Sequence, residues 1–146
     1  MKIGIVGAEA KKFTLATEAQ AKRVIEEVLV AGHADAMVSG GCHLGGVDIW
    51  AEEVADRLGI PKIVHLPRTH HWSTGYKPRN KLIAKDSAVV HCIVVRALPP
   101  NFSGRAWTTC YHCLGSHGPH IKSGGCWTAI YARDFLGKGA VWHILG

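Results

Sequence analysis

The chain has 146 residues, of which 47% are hydrophobic and 19% charged, and its formal net charge is +6. These values exclude an intrinsically disordered chain, and no apolar run approaches the roughly 20 residues that span a bilayer. The basic charge favours an anionic partner such as a nucleotide, a nucleic acid or another phosphate compound, although it could serve solubility alone. We expect one cytoplasmic domain over residues 1–146, because the first apolar run is too short for a signal peptide.

The first elements are a strand and a helix. A β-branched run over residues 2–7 predicts a buried parallel strand that ends at Gly7, where the chain must turn. Thr17 and Gln20 match a capping box, which predicts a helix over residues 17–31. Gly32 follows as its natural C-cap.

A glycine-rich loop lies between the predicted second strand, residues 35–39, and the predicted second helix, residues 47–58. Glycines let a backbone approach an anion closely, and a helix N-terminus supplies free N–H groups. The layout therefore predicts a phosphate-binding loop, with a plain tight turn as the alternative. The candidate binding residues here are Ser39, Gly40, Gly41, Gly45 and Gly46.

Two acidic residues follow this loop and share a helix face, Asp48 and Glu52. Asp48 would take a ribose hydroxyl, or it would only stabilise the helix dipole. Glu52 would act as a general base, or it would be a solvated residue. Both are candidate catalytic residues.

The rest of the chain continues the alternation of strands and helices. The predicted elements are a strand over 62–66, a loop over 67–76, a short helix over 79–85, a strand over 88–95, an irregular insert over about 97–125, a helix from about 124 to 137, and a strand over 140–145. This order predicts an α/β fold: a Rossmann-like parallel sheet of about five strands with helices on both faces, plus the irregular insert. Ligands of such sheets bind beyond the carboxyl ends of the strands, where Gly7 and the glycine-rich loop would meet.

A basic stretch, GYKPRNKLIAKDS, supplies a second group of candidates. Arg79 offers a bidentate fork to phosphate, and Asn80 can bind an amide or hydroxyl edge. Lys77, Lys81 and Lys85 surround them, and the alternative is a solvated charged helix.

Three motifs in this order resemble the SLOG superfamily of Rossmann-like proteins: KIGIVG, VSGGxxxGGVDxxAEExAxxxGI and WxxGYKPRNKLIAxxSxxV. That superfamily includes the LOG-type nucleotide phosphoribohydrolases and the domain of DNA-processing protein A. The resemblance implies a nucleotide-type ligand at the glycine-rich loop, with Arg79 and Asn80 in the second motif. LOG enzymes carry PGGxGTxxE with a catalytic Glu, for which Glu52 is the nearest candidate, although this chain has SGG, a longer spacing and no Thr.

The insert carries a candidate zinc site. Five cysteines, an odd number, argue against a disulfide framework in a chain without a signal peptide. Cys110 and Cys113 form a C-x2-C pair that Cys126 and one histidine could complete as a tetrahedral zinc site. The histidine is one of His112, His117 and His120. We prefer His120, because His112 is adjacent to Cys113; free thiols or a redox pair are the alternatives. Zinc would be structural, and no organic cofactor is expected.

Three functions are compatible with these motifs. An enzyme would hydrolyse the N-glycosidic bond of a nucleoside monophosphate, with Arg79 on phosphate, Asp48 on ribose and Glu52 at the reacting centre. A sensor or carrier would bind the same nucleotide without chemistry. A protein of DNA-processing type would bind nucleic acid through Lys77, Arg79, Lys81 and the insert. No membrane partner is expected, and a homo-oligomer is compatible with the resemblance.

Overall fold

A computed structural model describes residues 1–146. The elements in chain order are strand β1 (Lys2–Gly7), helix α1 (Leu15–Ala31), β2 (Ala36–Ser39), α2 (Val47–Leu58), β3 (Lys62–Val64), α3 (Lys77–Asp86), β4 (Val89–Val95), α4 (Gly124–Ile130) and β5 (Gly139–Leu145). A short 3₁₀ turn covers Ala10–Lys12, and single π-helical turns precede α3 at Trp72–Tyr76 and extend α4 at Tyr131–Phe135.

The five strands form one parallel sheet in the order β3-β2-β1-β4-β5. The chain builds outward from β1 to β3 on one side and then returns to place β4 on the other side of β1. The sheet therefore has its topological switch point between β1 and β4. The predicted α/β, Rossmann-like fold with five parallel strands is confirmed.

Two hydrophobic cores cover the two faces of the sheet, because successive side chains of a strand point to opposite faces. On one face Ile3 and Ile5 pack with α1 and α2, where Ile25 and Leu29 are fully buried. On the other face Val6 packs with α3, α4 and three cysteines of the C-terminal region. Helices therefore lie on both faces, as predicted.

The predicted N-cap of α1, Thr17, is wrong by three residues, and the helix begins at Leu15. Thr14 is the N-cap: its side chain accepts a hydrogen bond from the Thr17 backbone N–H at 3.1 Å, and the Thr14 N–H donates to Thr17 Oγ1 at 2.8 Å. Thr17 is thus the N3 residue of a capping box and not its N-cap. Gly32 is the C-cap, as predicted.

The insert contains turns and bends but no helix or strand between β4 and α4. Its first turns leave Trp107 and Tyr111 exposed, whereas Cys110, Cys113 and His120 are buried. None of the helices combines the length and the apolar character needed to cross a bilayer.

Candidate functional site

A cleft of about 750 Å³ opens beyond the carboxyl end of β1, on the side of the sheet that carries α3 and α4. Val6, Gly7 and Ala8 form its floor. The position is the switch point of the sheet, which is where ligands of open α/β sheets bind. The volume lies within the range of about 300–1,000 Å³ that is common for small-molecule sites.

Two glycines allow the cleft floor, at the end of β1, to contact the first turn of α4. A Cβ atom at Gly125, in the first turn of α4, would lie 2.6 Å from the Gly7 backbone nitrogen. A Cβ atom at Gly7 would overlap the Ile93 carbonyl oxygen and the Val47 side chain. Backbone-to-backbone contact at this point brings the start of α4 against the end of β1.

The glycine-rich loop lies beside the cleft, and its four glycines are not among the residues that line it. Gly46 has φ +88°, and a Cβ there would overlap the Ala8 carbonyl oxygen. Gly41 has φ +57° and packs against the end of β3, through Val64. The Val47 N–H, at the start of α2, donates to the Ala8 carbonyl at 3.2 Å. In this structure the glycines serve close packing, and an anion cradle formed by them stays a prediction.

The same loop directs other groups toward the cleft. Cys42 and Leu44 line it. Burial raises the pKa of the Cys42 thiol, which disfavours a thiolate nucleophile there. Ser39 is fully buried at the end of β2, and its hydroxyl has no hydrogen-bond partner in the protein.

Arg79 and Asn80 line the cleft, but the arginine is engaged within the protein. Its Nη1 donates to the Gly40 carbonyl, and its Nε donates to Asn80 Oδ1 at 2.7 Å. The guanidinium also lies over the ring of Tyr76, 5.5 Å from its centroid. Arg79 therefore holds the glycine-rich loop against α3, and its use as a free phosphate fork stays a prediction.

The two candidate catalytic acids have different environments. Asp48 is buried on the cleft and accepts a hydrogen bond from the Cys42 backbone N–H at 3.2 Å. Burial raises the pKa of Asp48 to about 6, although the positive charge of Arg79 opposes this shift. Glu52 does not line the cleft and lies 3.7 Å from the Lys62 ammonium. Asp48 is therefore the acid placed to meet a ligand.

Several cleft residues were not among the sequence candidates. Lys12 and Lys122 supply positive charge, and the Lys12 Nζ donates to the Lys122 carbonyl at 2.8 Å. Burial lowers the pKa of Lys12. Thr128 is 1% exposed, and its hydroxyl has no partner within the protein. The remaining wall includes aromatic rings from three segments: Trp72, Tyr76, Tyr111 and Trp127.

The four predicted metal ligands come together beside this cleft. The ligand atoms of Cys110, Cys113, His120 and Cys126 all lie within 4.8 Å of one another, and all four residues are buried. The Cys113 sulfur is 3.2 Å from His120 Nε2. His112 lines the cleft instead, and His117 stacks on Trp142. This cluster can hold a metal ion.

Neighbouring groups orient the cluster. His120 Nδ1 lies 2.8 Å from the Ile121 carbonyl oxygen, and a hydrogen bond there leaves Nε2 free to face the three sulfurs. Trp142 Nε1 donates to the Cys126 sulfur at 3.3 Å. A hydrogen bond from Cys126 lowers the pKa of Cys110 to about 4, and sharing this proton raises the pKa of Cys126. The Cys110–Cys126 pair thus favours a thiolate at Cys110, which is the form that binds metal, while Cys126 keeps the shared proton.

The fold and the site together define a Rossmann-like α/β protein with a switch-point cleft and a Cys₃His cluster. No protein-family model matches the chain, and no curated protein matches it. Among solved structures, it is similar to DNA processing protein A (DprA) from Streptococcus pneumoniae, with a TM-score of 0.50 and 13% sequence identity. The match covers 99% of this chain and 59% of that one. At this identity the likeness is one of fold alone.

Proposed function

We propose that this protein binds a nucleotide or a nucleotide derivative in the switch-point cleft. The observation that carries the proposal is the position of the cleft at the carboxyl end of β1, where the sheet order reverses. The similarity in fold to a DNA-processing protein supports a ligand of the nucleotide or nucleic-acid class.

The chemistry of the cleft suits the three parts of a nucleotide. The rings of Tyr111 and Trp127 offer flat apolar surfaces for a base. Lys12 and Lys122 attract the phosphate. Asp48 accepts a hydrogen bond from a ribose hydroxyl, as its position in the first turn of α2 predicts.

We also propose that the Cys₃His cluster binds zinc. Three thiolates and one imidazole match the ligands that tetrahedral zinc prefers, and four protein donors leave no open position for a substrate. Zinc would thus be structural, holding an insert that has no helix or strand of its own. Metal analysis of the purified protein, compared with Cys113→Ser, tests this assignment; an equal zinc content in both proteins contradicts it.

The binding proposal is tested by titrating AMP, GMP, CMP and UMP into the protein by calorimetry. Lys12→Met and Lys11→Met make a matched pair, because both remove one positive charge but only Lys12 lines the cleft. We expect saturable binding of at least one nucleotide, with affinity lost in Lys12→Met and kept in Lys11→Met. Equal losses in both variants would mean that net charge, rather than the cleft, attracts the ligand.

Hydrolysis of the N-glycosidic bond is a second candidate, favoured by the pKa of Asp48 near 6 on the cleft wall. A carboxyl group with such a pKa can exchange a proton with a reacting group near neutral pH. Chromatography of each nucleotide after incubation would reveal free base. Loss of activity in Asp48→Asn, with activity kept in Glu52→Gln, would support Asp48 as the reacting acid, because only Asp48 lines the cleft. Loss of activity in Glu52→Gln would support the role that the sequence predicts for Glu52, and unchanged activity in both variants would contradict hydrolysis by these acids.

Nucleic-acid binding is the alternative that the same titrations must separate. Binding of a single-stranded oligonucleotide whose affinity falls steeply with salt, without any affinity for mononucleotides, would favour it. Tight mononucleotide binding with weak salt dependence would favour the nucleotide site.

A further inference from the structure

The metal cluster and the cleft are built from the same stretch of chain. Tyr111 and His112 lie between the first two ligands, Cys110 and Cys113, and both line the cleft. The other two ligands, His120 and Cys126, enclose a second group of cleft residues. That group is Lys122, Ser123, Gly124 and Gly125. Apart from Trp127 and Thr128, which directly follow Cys126, every cleft residue after α3 lies between two ligands of the cluster.

Backbone hydrogen bonds also hold this wall. The insert has no helix or strand, so neighbouring backbone groups cannot hold it through a regular ladder. The Cys110 N–H donates to the His120 carbonyl at 3.0 Å, which links the two halves of the cluster to each other. The Ile121 N–H donates to the Val95 carbonyl at 2.8 Å, and the Lys122 N–H donates to the Trp107 carbonyl at 2.9 Å. Ile121 is also buried in the core, and Gly124 and Gly125 belong to α4. The buried ligands Cys110 and Cys113 flank Tyr111 and His112, so the cluster is the main buried anchor of that part of the wall.

We propose that metal binding at the Cys₃His cluster and nucleotide binding in the cleft are thermodynamically coupled. The metal fixes the spacing of the ligand-bearing segments, and this spacing sets the positions at which Tyr111, His112 and Lys122 line the cleft. Without the metal, the nucleotide must order the wall itself, which weakens its affinity. The inference rests on the proposed function, because it concerns the regulation of the same nucleotide site.

Coupling of this kind is reciprocal. If the metal strengthens nucleotide binding by a given factor, the nucleotide must strengthen metal binding by the same factor. Typical coupling between two sites changes affinity about 5- to 150-fold. We expect a factor of about ten here, because the part of the wall formed by Tyr111 and His112 depends on the cluster.

The test starts from the zinc-loaded full chain and the nucleoside monophosphate that binds it most tightly among AMP, GMP, CMP and UMP. Its Kd is measured with zinc and after removal of zinc by a chelator, while circular dichroism follows the fold. The zinc Kd is measured in parallel by chelator competition, with and without the nucleotide. We expect both Kd values to change by the same factor, with the helix and sheet signal kept.

Each other outcome is decisive. An unchanged nucleotide Kd in folded, metal-free protein overturns the coupling and leaves the nucleotide site intact. Loss of the whole fold on zinc removal overturns the claim that the metal acts on the cleft wall. Absence of nucleotide binding even with zinc overturns the proposed function, and the coupling fails with it. Cys113→Ser removes one ligand and should weaken nucleotide binding as zinc removal does. His117→Gln is its matched control and should leave the nucleotide Kd unchanged, because His117 lies in the insert but neither lines the cleft nor belongs to the cluster.

Discussion

Replacing Asp48 with Asn should stabilise the folded protein at neutral pH. Burial raises the pKa of Asp48 from 3.8 to about 6. The unfolded chain therefore releases this proton at a lower pH than the folded protein does, and the folded state binds more protons between pH 3.8 and about 6. The free energy of unfolding contributed by Asp48 must fall as the pH rises through that window, and the loss is complete above it.

The magnitude follows from the two pKa values. Each pKa unit corresponds to about 1.4 kcal/mol, so the full difference is about 3 kcal/mol. Most of it, about 2 kcal/mol, develops between pH 4.5 and 7.5. Asn keeps a side-chain oxygen that can accept from the Cys42 N–H but carries no charge to bury. The stability advantage of Asp48→Asn over the wild type should grow by that amount over this range.

Urea unfolding at the two pH values measures the effect, and the difference between variant and wild type cancels the titration of the other groups. Glu53→Gln is the control, because Glu53 is an exposed carboxylate on the same helix. An advantage that stays the same at both pH values would refute the burial argument. The proposed function adds that Asp48→Asn weakens nucleotide binding. The Asp48 carboxylate would then lower the stability of the fold but strengthen the binding of the ligand.

Three further predictions concern the walls of the cleft and the cluster. Gly125→Ala should lower the melting temperature by several degrees, because the new Cβ overlaps the Gly7 backbone and overpacking costs about 1–3 kcal/mol. Gly124→Ala is the control and should leave the melting temperature unchanged, because its Cβ meets nothing within 4 Å. Trp142→Phe removes the N–H that donates to the Cys126 sulfur and should weaken zinc affinity about tenfold in chelator competition. Trp127→Ala should weaken nucleotide binding measured by calorimetry about tenfold, since stacking on a base contributes about 1–3 kcal/mol; an unchanged Kd would place the base elsewhere.

The fold was predictable because local signals and the global pattern agree. The apolar runs, the glycine C-caps and the alternation of strands and helices all indicate a parallel sheet, and the five strands lie within two residues of their predicted bounds. The start of α1 failed because Thr14 and Thr17 are both suitable caps. In the structure they cap each other, a choice that sequence spacing alone does not resolve.

The site was predictable where chemistry depends on spacing along the chain. The C-x2-C pair, His120 and Cys126 were identified from spacing, and the structure brings them together. The cleft residues Lys12 and Lys122 were missed, because their proximity depends on the path of an insert without regular structure. The glycine-rich loop was predicted to bind an anion, and this stays a prediction. Its spacing could not reveal that Gly46 packs on Ala8 instead of facing the cleft.

The contact between Gly7 and Gly125 has a consequence for the order of folding. The floor of the cleft belongs to β1 and part of its wall to α4, so a nascent chain cannot assemble the cleft until α4 has left the ribosome. Contacts between distant parts of a chain also form slowly, because a long loop must close first. A ligand that binds this cleft would therefore recognise only chains in which α4 has been synthesised and has packed against β1.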